Sequence, residues 1–307
     1  MTPQAPSIES IRRFKNLLFA TAVMTFLLIV MGGIVRVTGS GLGCPDWPTC
    51  FGKWIPPMRA DAIIEYLHRL AATFASPLIL ASFFVAWWRF RPIRLITRSL
   101  FWACILLAVQ ALLGGLVVIF ETPPGWVAVH LANALLIFAL ILLPLIVTIT
   151  LVRNPSADLR LDFSTPFSRR ARHTLIALFI VLVSGAFVAG TNATMACSGW
   201  PLCNGQLFPS HYLGWIHMLH RTLVAIVTYS VISLYLASRR DTALPLPLKR
   251  TTSTLLVLFL IQAAVGAVKV SYRFPVFYLG AHVAVAAAVW AAAVILAAMA
   301  ALSTPSD

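Results

Sequence analysis

The chain has 307 residues, of which 60% are hydrophobic and only 10% are charged, and its mean hydropathy is +0.90. This composition excludes an ordinary soluble protein and places the chain among integral membrane proteins. The formal net charge of +14 comes from basic loops between apolar stretches, so it does not indicate nucleic-acid binding.

Eight apolar stretches follow one another along the chain. Each is near the roughly 20 residues that an α-helix needs to cross hydrocarbon. They lie at about 15–38, 65–88, 99–120, 126–151, 172–191, 213–238, 251–271 and 277–302. The pattern predicts an all-α integral membrane protein with eight transmembrane helices and no separate soluble domain.

The positions of Lys and Arg predict the orientation in the membrane. Sixteen of the 23 basic residues fall within four segments, 12–15, 89–98, 153–172 and 239–250. By the positive-inside rule these segments and both termini are cytoplasmic. The first apolar stretch is too long for the core of a signal peptide and runs directly into a motif that recurs later, so we expect it to be retained. No segment typical of an organellar transit peptide precedes it, which favours a bacterial or archaeal cytoplasmic membrane.

Four histidines form two pairs with the same spacing. His68 and His130 are 62 residues apart, and His220 and His282 repeat that spacing 152 residues later. The Leu-His-Arg sequence around the first member of each pair and a Gln-Ala pair recur at the same offset. The sequence therefore contains an internal repeat with one histidine pair in each half.

The repeat predicts the domain organisation. The halves are 1–152 and 168–307, joined by a polar cytoplasmic linker at 153–167. Because each half has an even number of spans, both halves enter the membrane from the same side. We expect two four-helix bundles of the parallel-repeat type, related by a pseudo-two-fold axis along the membrane normal.

The histidine pairs predict the kind of site. All four lie near the outer ends of their spans, a turn or so inside the non-cytoplasmic surface. Two imidazoles at one depth on facing helices suit the axial positions of a haem iron, whereas a tetrahedral zinc site needs more ligands. Packed or hydrogen-bonded core histidines are the alternative. Ionisable residues inside membranes are mostly functional, and the pattern is duplicated, so we favour two haem sites.

Two outer loops each carry a cysteine pair around a Trp-Pro sequence. Cys44 and Cys50 lie in the first loop, and Cys197 and Cys203 lie in the third. On an oxidising face such pairs form disulfides, which here close small loops over the two sites. Metal ligation and reversible thiol chemistry are the alternatives, and a redox role suits the first pair better. Cys104 lies alone within a span and is expected in the core.

The two halves differ beside the histidines. Glu65 precedes His68 by three residues and shares its helix face, about 4.5 Å away along the axis. The matching position of the second half holds His217. We expect Glu65 to transfer protons or to position a reacting group. The alternative is an exposed carboxylate at a helix start, favoured there by the helix dipole.

Basic residues cluster near the outer ends of the spans. Four of them are candidate partners of haem propionates, because a cationic side chain can hold a carboxylate, and a guanidinium can do so bidentately. These are Arg36, Arg69, Arg221 and Lys269. Snorkelling to lipid headgroups is the alternative for each.

Together these features resemble the haem A synthase family, over nearly the whole chain. The matching pieces are the run Gly-Gly-Ile-Val-Arg-Val-Thr-Gly-Ser-Gly-Leu at 32–42, the Cys-Pro-Asp-Trp-Pro-x-Cys loop, Glu65-x-x-His68-Arg69, and the histidines at 130, 220 and 282. Paired cysteines in the first outer loop resemble the bacterial-type members that have them. The resemblance implies an eight-helix membrane oxidoreductase that oxidises the C8 methyl group of haem O to a formyl group, giving haem A.

The resemblance also implies a division of labour. His220 and His282 would hold a resident haem b, while His68 and His130 would accept haem O as substrate, with Glu65 as the catalytic acid/base. The expected partners are haem O, an electron donor that the sequence does not identify, haem O synthase and the terminal oxidase assembly.

Two other functions fit part of the pattern. A two-haem membrane cytochrome that only transfers electrons explains the histidines but not Glu65 in one half alone. A repeat-built transporter usually has its site near the midplane between broken helices, whereas these histidines are expected close to the outer surface. We therefore favour haem A synthase.

Overall fold

The computed structural model describes residues 7–302, and within that range it has eight long α-helices, one turn of 3-10 helix and no β-strand. The helices are α1 Ile8–Val37, α2 Ala60–Arg89, α3 Arg94–Ile119, α4 Pro124–Arg153, α5 Pro166–Gly190, α6 Tyr212–Arg240, α7 Leu246–Ser271 and α8 Val276–Leu302, and the 3-10 turn is Ala193–Ala196. All eight α-helices are long and apolar enough to cross a membrane. The predicted fold class is confirmed.

The helices extend beyond the apolar stretches that predicted them, mostly at their N-termini. The Ser7 hydroxyl caps α1 by accepting a hydrogen bond from the Ser10 N–H at 3.3 Å, and Thr165 caps α5 in the same way from Ser168 at 3.2 Å. Such caps satisfy N–H groups that the first helical turn leaves unpaired. Backbone hydrogen bonding therefore sets the helix ends, while hydropathy marks only the apolar middle.

Contacts between helices form two rings of four. In the first ring α1, α2, α3 and α4 contact one another in order and α4 closes onto α1; α5 to α8 do the same. The buried helices α4 and α8 join the rings, and the Trp290 indole N–H of α8 donates to the Leu135 carbonyl of α4 at 2.9 Å. In each ring, the two helices that carry the histidines lie diagonally opposite.

The two halves repeat their local backbone conformation. Both Trp-Pro bonds, Trp47–Pro48 and Trp200–Pro201, are cis. The second cysteine of each loop forms an isolated antiparallel bridge with the residue three positions later, Cys50 with Lys53 and Cys203 with Gln206. Corresponding residues after α3 and α7 have positive φ, as at Glu121 and Arg273, both 57°. The local geometry accords with the internal repeat. The pseudo-two-fold axis, the boundaries of the halves and the cytoplasmic location of the termini stay predictions.

A glycine allows α1 to approach α8 closely across the boundary between the rings. A Cβ at Gly33 would stand 2.3 Å from Cγ1 and 2.9 Å from Cβ of Val283. Small residues at such contacts let membrane helices pack, because the lipid provides no hydrophobic driving force between them. The close packing of α1 on α8 therefore depends on the absence of a side chain at Gly33.

We expect Gly33→Ala to lower the free energy of unfolding by about 1–3 kcal/mol, the usual cost of adding a methyl group to a packed interior. Gly280→Ala on α8 is the matched control, because no heavy atom lies within 4 Å of where its Cβ would be. Thermal unfolding in detergent measures both variants. Equal midpoints for the two would contradict the close packing of α1 on α8.

Candidate functional site

The four histidines lie at corresponding places in their helices. His68 and His220 each come eight residues after the first residue of α2 and α6, and His130 and His282 come six after the first residue of α4 and α8. At 1.5 Å per residue these positions are about 12 Å and about 9 Å along the helices. All four are therefore near the end of the bundle that carries the cysteine loops.

Each imidazole lies against a glycine of the preceding helix. In the first half, an added Cβ would lie 3.0 Å from His68 Cε1 at Gly32 and 3.5 Å from His130 Cε1 at Gly114. In the second half, it would lie 3.2 Å from His220 Cε1 at Gly185 and 3.1 Å from His282 Cε1 at Gly266. The two rings of each pair are also close enough to interact electrostatically. The helix backbone thus makes room for each ring, and the members of a pair come from diagonally opposite helices of their bundle.

The first pair is connected to a short chain of amides. The Gln110 side-chain nitrogen lies 3.0 Å from His130 Nε2. Asn133 donates from Nδ2 to Gln110 Oε1 at 2.7 Å and to the Leu106 carbonyl at 2.9 Å. The Nδ1 atoms of both His68 and His130 are buried without a hydrogen-bond partner.

The second pair has a different set of contacts. The Ser184 hydroxyl lies 2.8 Å from His220 Nδ1 and also 2.8 Å from the Val181 carbonyl. Gln262 lies 3.2 Å from His282 Nε2, as Gln110 does in the first half. However, Gln262 Oε1 and His282 Nδ1 are buried without partners.

Glu65 is buried at the first site. Its side chain is only 5% exposed, so the alternative of an exposed helix-start carboxylate is wrong. One carboxylate oxygen accepts a hydrogen bond from the Cys44 backbone N–H at 2.9 Å, and the other pairs with Arg69 at 2.6 Å. A buried carboxylate is tolerable only when its charge is paired and its oxygens are hydrogen-bonded, which both contacts provide.

Arg69 ties Glu65 to the first cysteine loop. Besides Glu65, its guanidinium donates to the carbonyls of Cys44 at 3.1 Å, Asp46 at 2.8 Å and Thr49 at 2.6 Å. Arg221 makes a single comparable contact in the second half, to the Pro201 carbonyl at 2.9 Å. The first loop is thus fastened to the acid beside His68, and the second loop is held more lightly.

Both predicted disulfides are present. Cys44–Cys50 and Cys197–Cys203 are bonded, and Cys104 is a free cysteine of intermediate exposure. Within the first loop the Thr49 hydroxyl and the N–H groups of Gly52 and Phe51 donate to Asp46. These hydrogen bonds hold the pKa of Asp46 below its usual value. They therefore support the loop fully at neutral pH and weaken only as the pH falls through that lowered pKa.

The remaining basic candidates have different surroundings. Arg36, at the end of α1, donates to the Ala189 and Gly190 carbonyls that end α5, at 2.6 and 3.2 Å. Arg221 has a buried Nη2 without a partner and interacts electrostatically with Lys269. Lys269 also lies within electrostatic range of the second histidine pair. Arg36 and Arg69 are therefore largely engaged by backbone carbonyls, whereas Arg221 and Lys269 form a cationic group beside the second pair.

Several residues at the site were not singled out from the sequence. From the sequence, Gln110 is identified only as part of the repeat and Gly32 only as part of the run at 32–42, whereas Asn133, Ser184 and the other three backing glycines are not identified. Their signal is weak but present: Asn133 follows His130 by three residues, and Ser184 directly precedes Gly185, both within apolar helices. Polar side chains at such positions need partners, but the sequence does not say which.

We expect Arg69→Met to loosen the first cysteine loop selectively. Removing its bonds to three loop carbonyls should speed amide hydrogen exchange within residues 44–53 about tenfold or more, because each net hydrogen bond contributes about 0.5–1.5 kcal/mol. Exchange within 197–206 should not change. Arg221→Met is the matched control and should have the smaller effect on its own loop. Equal effects of the two variants would contradict the tight fastening of the first loop.

Comparisons with known proteins agree with this architecture. The model of the cytochrome oxidase assembly protein family matches residues 15–294. A haem A synthase from Bacillus pumilus is 31% identical, covering 67% of this chain and 69% of the relative. Haem A synthases from Shouchella clausii (30% identical; 84% of this chain, 87% of the relative) and Bacillus licheniformis (28%; 88% and 90%) match over more of their length. The chain belongs to the cytochrome oxidase assembly protein family.

Proposed function

We propose that this protein is a haem A synthase of the bacterial cytoplasmic membrane, which oxidises the C8 methyl group of haem O to a formyl group. The relatives named haem A synthase, all bacterial, and the eight membrane-length helices support this proposal. The observation that carries it is a buried acid in one half only: Glu65 lies beside the first histidine pair, and the second half has His217 at that position.

The histidine surroundings fit haem as the group that each pair would hold. Each of the four histidines is of intermediate exposure as a residue, while Nδ1 of His68, His130 and His282 is fully buried, so the accessible surface of these three residues lies away from Nδ1. Within residues 7–302 no three His, Cys, Asp or Glu side chains come together around a possible metal position. A haem ring supplies four ligands itself and needs only two axial ones from the protein, which matches a pair of imidazoles.

Charge favours the second half as the site of a permanently bound haem. Arg221 and Lys269 are partly buried, and neither takes part in the three ion pairs found within residues 7–302. Two neighbouring cations in a low-dielectric setting are costly without a counter-charge. Haem propionates would supply that charge, so we assign propionate binding foremost to Arg221 and Lys269. We keep Arg36 and Arg69 as weaker candidates, since they already bind backbone carbonyls.

The first half has the residues for the chemical step. Converting a methyl to a formyl group takes two successive oxygen insertions and loss of water, and it requires the transfer of electrons and protons. A haem supplies electron transfer when it is bound. Glu65 would accept or return a proton at the edge of the first site. Its hydrogen bonds from Arg69 and the Cys44 N–H, which hold the carboxylate in one orientation, support this role. His68 and His130 would bind the substrate haem, and His220 and His282 the resident haem b.

The partners of the protein follow from this assignment. Haem O is the substrate, an electron donor is required, and haem O synthase and the terminal oxidase assembly would act before and after this step. The cysteine-loop end of the bundle would face the outside of the cell, with both termini in the cytoplasm. A protein that only transfers electrons has no use for an acid at one of its two sites, so Glu65 disfavours that alternative.

We expect Glu65→Gln to reduce haem A formation about 100-fold or more while the protein still folds and keeps its second-site haem, because general acid–base groups contribute factors of that size. Asp61→Asn on the same helix is the control, since its carboxylate pairs with Arg59 nearer the surface. Haems are extracted and chromatographed after expression with a source of haem O. A normal yield of haem A from Glu65→Gln would contradict the assignment.

We also expect His220→Ala or His282→Ala to remove the stably bound haem from the purified protein. His173→Ala, at an exposed position in the first turns of α5, is the control and should keep the wild-type absorption spectrum. An unchanged haem b spectrum in either site variant would show that the second pair does not hold the resident haem.

A further inference from the structure

The two histidine sites share a framework and, besides Glu65 and His217, differ at two further polar positions. Both have a glycine behind each ring and a glutamine at Nε2 of the second histidine. Asn133 contacts the first glutamine, but the residue 152 positions later is Val285. Ser184 of α5 contacts His220. The corresponding residue of α1, 153 positions earlier, as Gly32 is 153 positions before Gly185, is Met31. Each half therefore has one polar partner that the other half lacks.

Asn133 fixes the orientation of the first glutamine. The Leu106 carbonyl can only accept, so the Asn133 nitrogen must face it, and that same nitrogen donates to Gln110. The atom of Gln110 that faces Asn133 is consequently its oxygen. The Gln110 N–H group then faces His130 and donates to the lone pair of Nε2 at 3.0 Å. That lone pair is the one an iron atom would need.

The second glutamine has no such restraint. Gln262 Oε1 is buried without a hydrogen-bond partner, because valine replaces the asparagine. Nothing on that side of the amide holds its N–H group toward His282, so the amide can turn away at little cost. Gln110 would therefore compete with iron for the Nε2 lone pair of His130, whereas Gln262 can turn away from that of His282.

Ser184 prepares His220 for ligation. The Val181 carbonyl only accepts, so the single hydroxyl proton of Ser184 goes to it, and the hydroxyl oxygen accepts from His220 Nδ1. The Nδ1–H tautomer leaves the lone pair on Nε2. A ligating histidine is usually oriented by such a hydrogen bond from its other ring nitrogen. His68 has no partner at Nδ1.

We propose that Asn133 and Ser184 are positioning residues that make the first haem site exchangeable and the second permanent. Asn133 holds Gln110 in competition with iron for His130, and Ser184 presets His220 as a ligand. This inference rests on the proposed function, in which the first site must accept substrate and release product. A site whose ligand is partly blocked binds with an apparent affinity reduced by the blocked fraction.

The test for Asn133 uses the full-length protein with His220→Ala, so that only the first site binds haem, and titrates it in detergent with ferric haem b. Asn133→Val, which copies the second half, should lower the apparent Kd about two- to tenfold, the factor that one net hydrogen bond provides. In a Gln110→Leu background the same substitution should have no further effect, because Asn133 acts through Gln110. A purely structural role of Asn133 would give the same effect in both backgrounds.

Each outcome separates the inference from the proposed function. Tighter binding that disappears with Gln110→Leu supports the inference. Unchanged or weaker binding by monodisperse Asn133→Val protein overturns it and leaves the proposed function standing. Haem binding that does not depend on His68 and His130 overturns the proposed function and the inference together.

The test for Ser184 measures haem loss from the second site of the otherwise wild-type protein to an excess of a haem-accepting apoprotein. Ser184→Ala should accelerate the loss about two- to tenfold, and Ser184→Thr, which keeps the hydroxyl, should restore the slow rate. Met31→Ala, at the corresponding position of the first half, is the control. Equal rates for Ser184→Ala and wild type would overturn the role of Ser184.

Discussion

Imidazole rings inside an apolar helix bundle need both room and polar partners, and much of the site is organised by that requirement. The room comes from glycine: each of the four rings lies against a glycine of the helix before it. Because the same glycine-histidine contact occurs four times, it fixes the spacing between α1 and α2, α3 and α4, α5 and α6, and α7 and α8. The glycines that make room for the imidazoles therefore also determine how closely the helices pack.

Burial of charge sets a second constraint, and the two halves meet it differently. In the first half a carboxylate lies among hydrogen-bond donors, with Arg69 joining Glu65 to the backbone of the cysteine loop. The disulfide loop is therefore part of the site, since moving it would remove the Cys44 N–H from the acid. In the second half Arg221 and Lys269 lie together, and within residues 7–302 neither forms an ion pair with a carboxylate. Such a group is suited to an anionic ligand that stays bound.

Duplication followed by a few polar changes would account for the two sites with different tasks that we propose. The cysteine loops, the cis Trp-Pro bonds, the glutamines and the histidines are common to both halves. The differences are single residues, among them Glu65 against His217, Asn133 against Val285, and Ser184 against Met31. Each alters a hydrogen bond or a charge within reach of an imidazole, where the low dielectric makes such changes strong.

The sequence by itself determined the eight helices, the repeat, the histidine pairs and both disulfides, because hydropathy and exact spacing are local properties of the chain. It did not determine that Glu65 is buried, that Arg36 caps the end of α5, or that Asn133 orients Gln110. Those facts depend on which helix faces meet, with partners 21 to 153 residues apart. Only the tertiary structure decides them, because an arginine or an amide in an apolar helix has several possible partners and packing selects one.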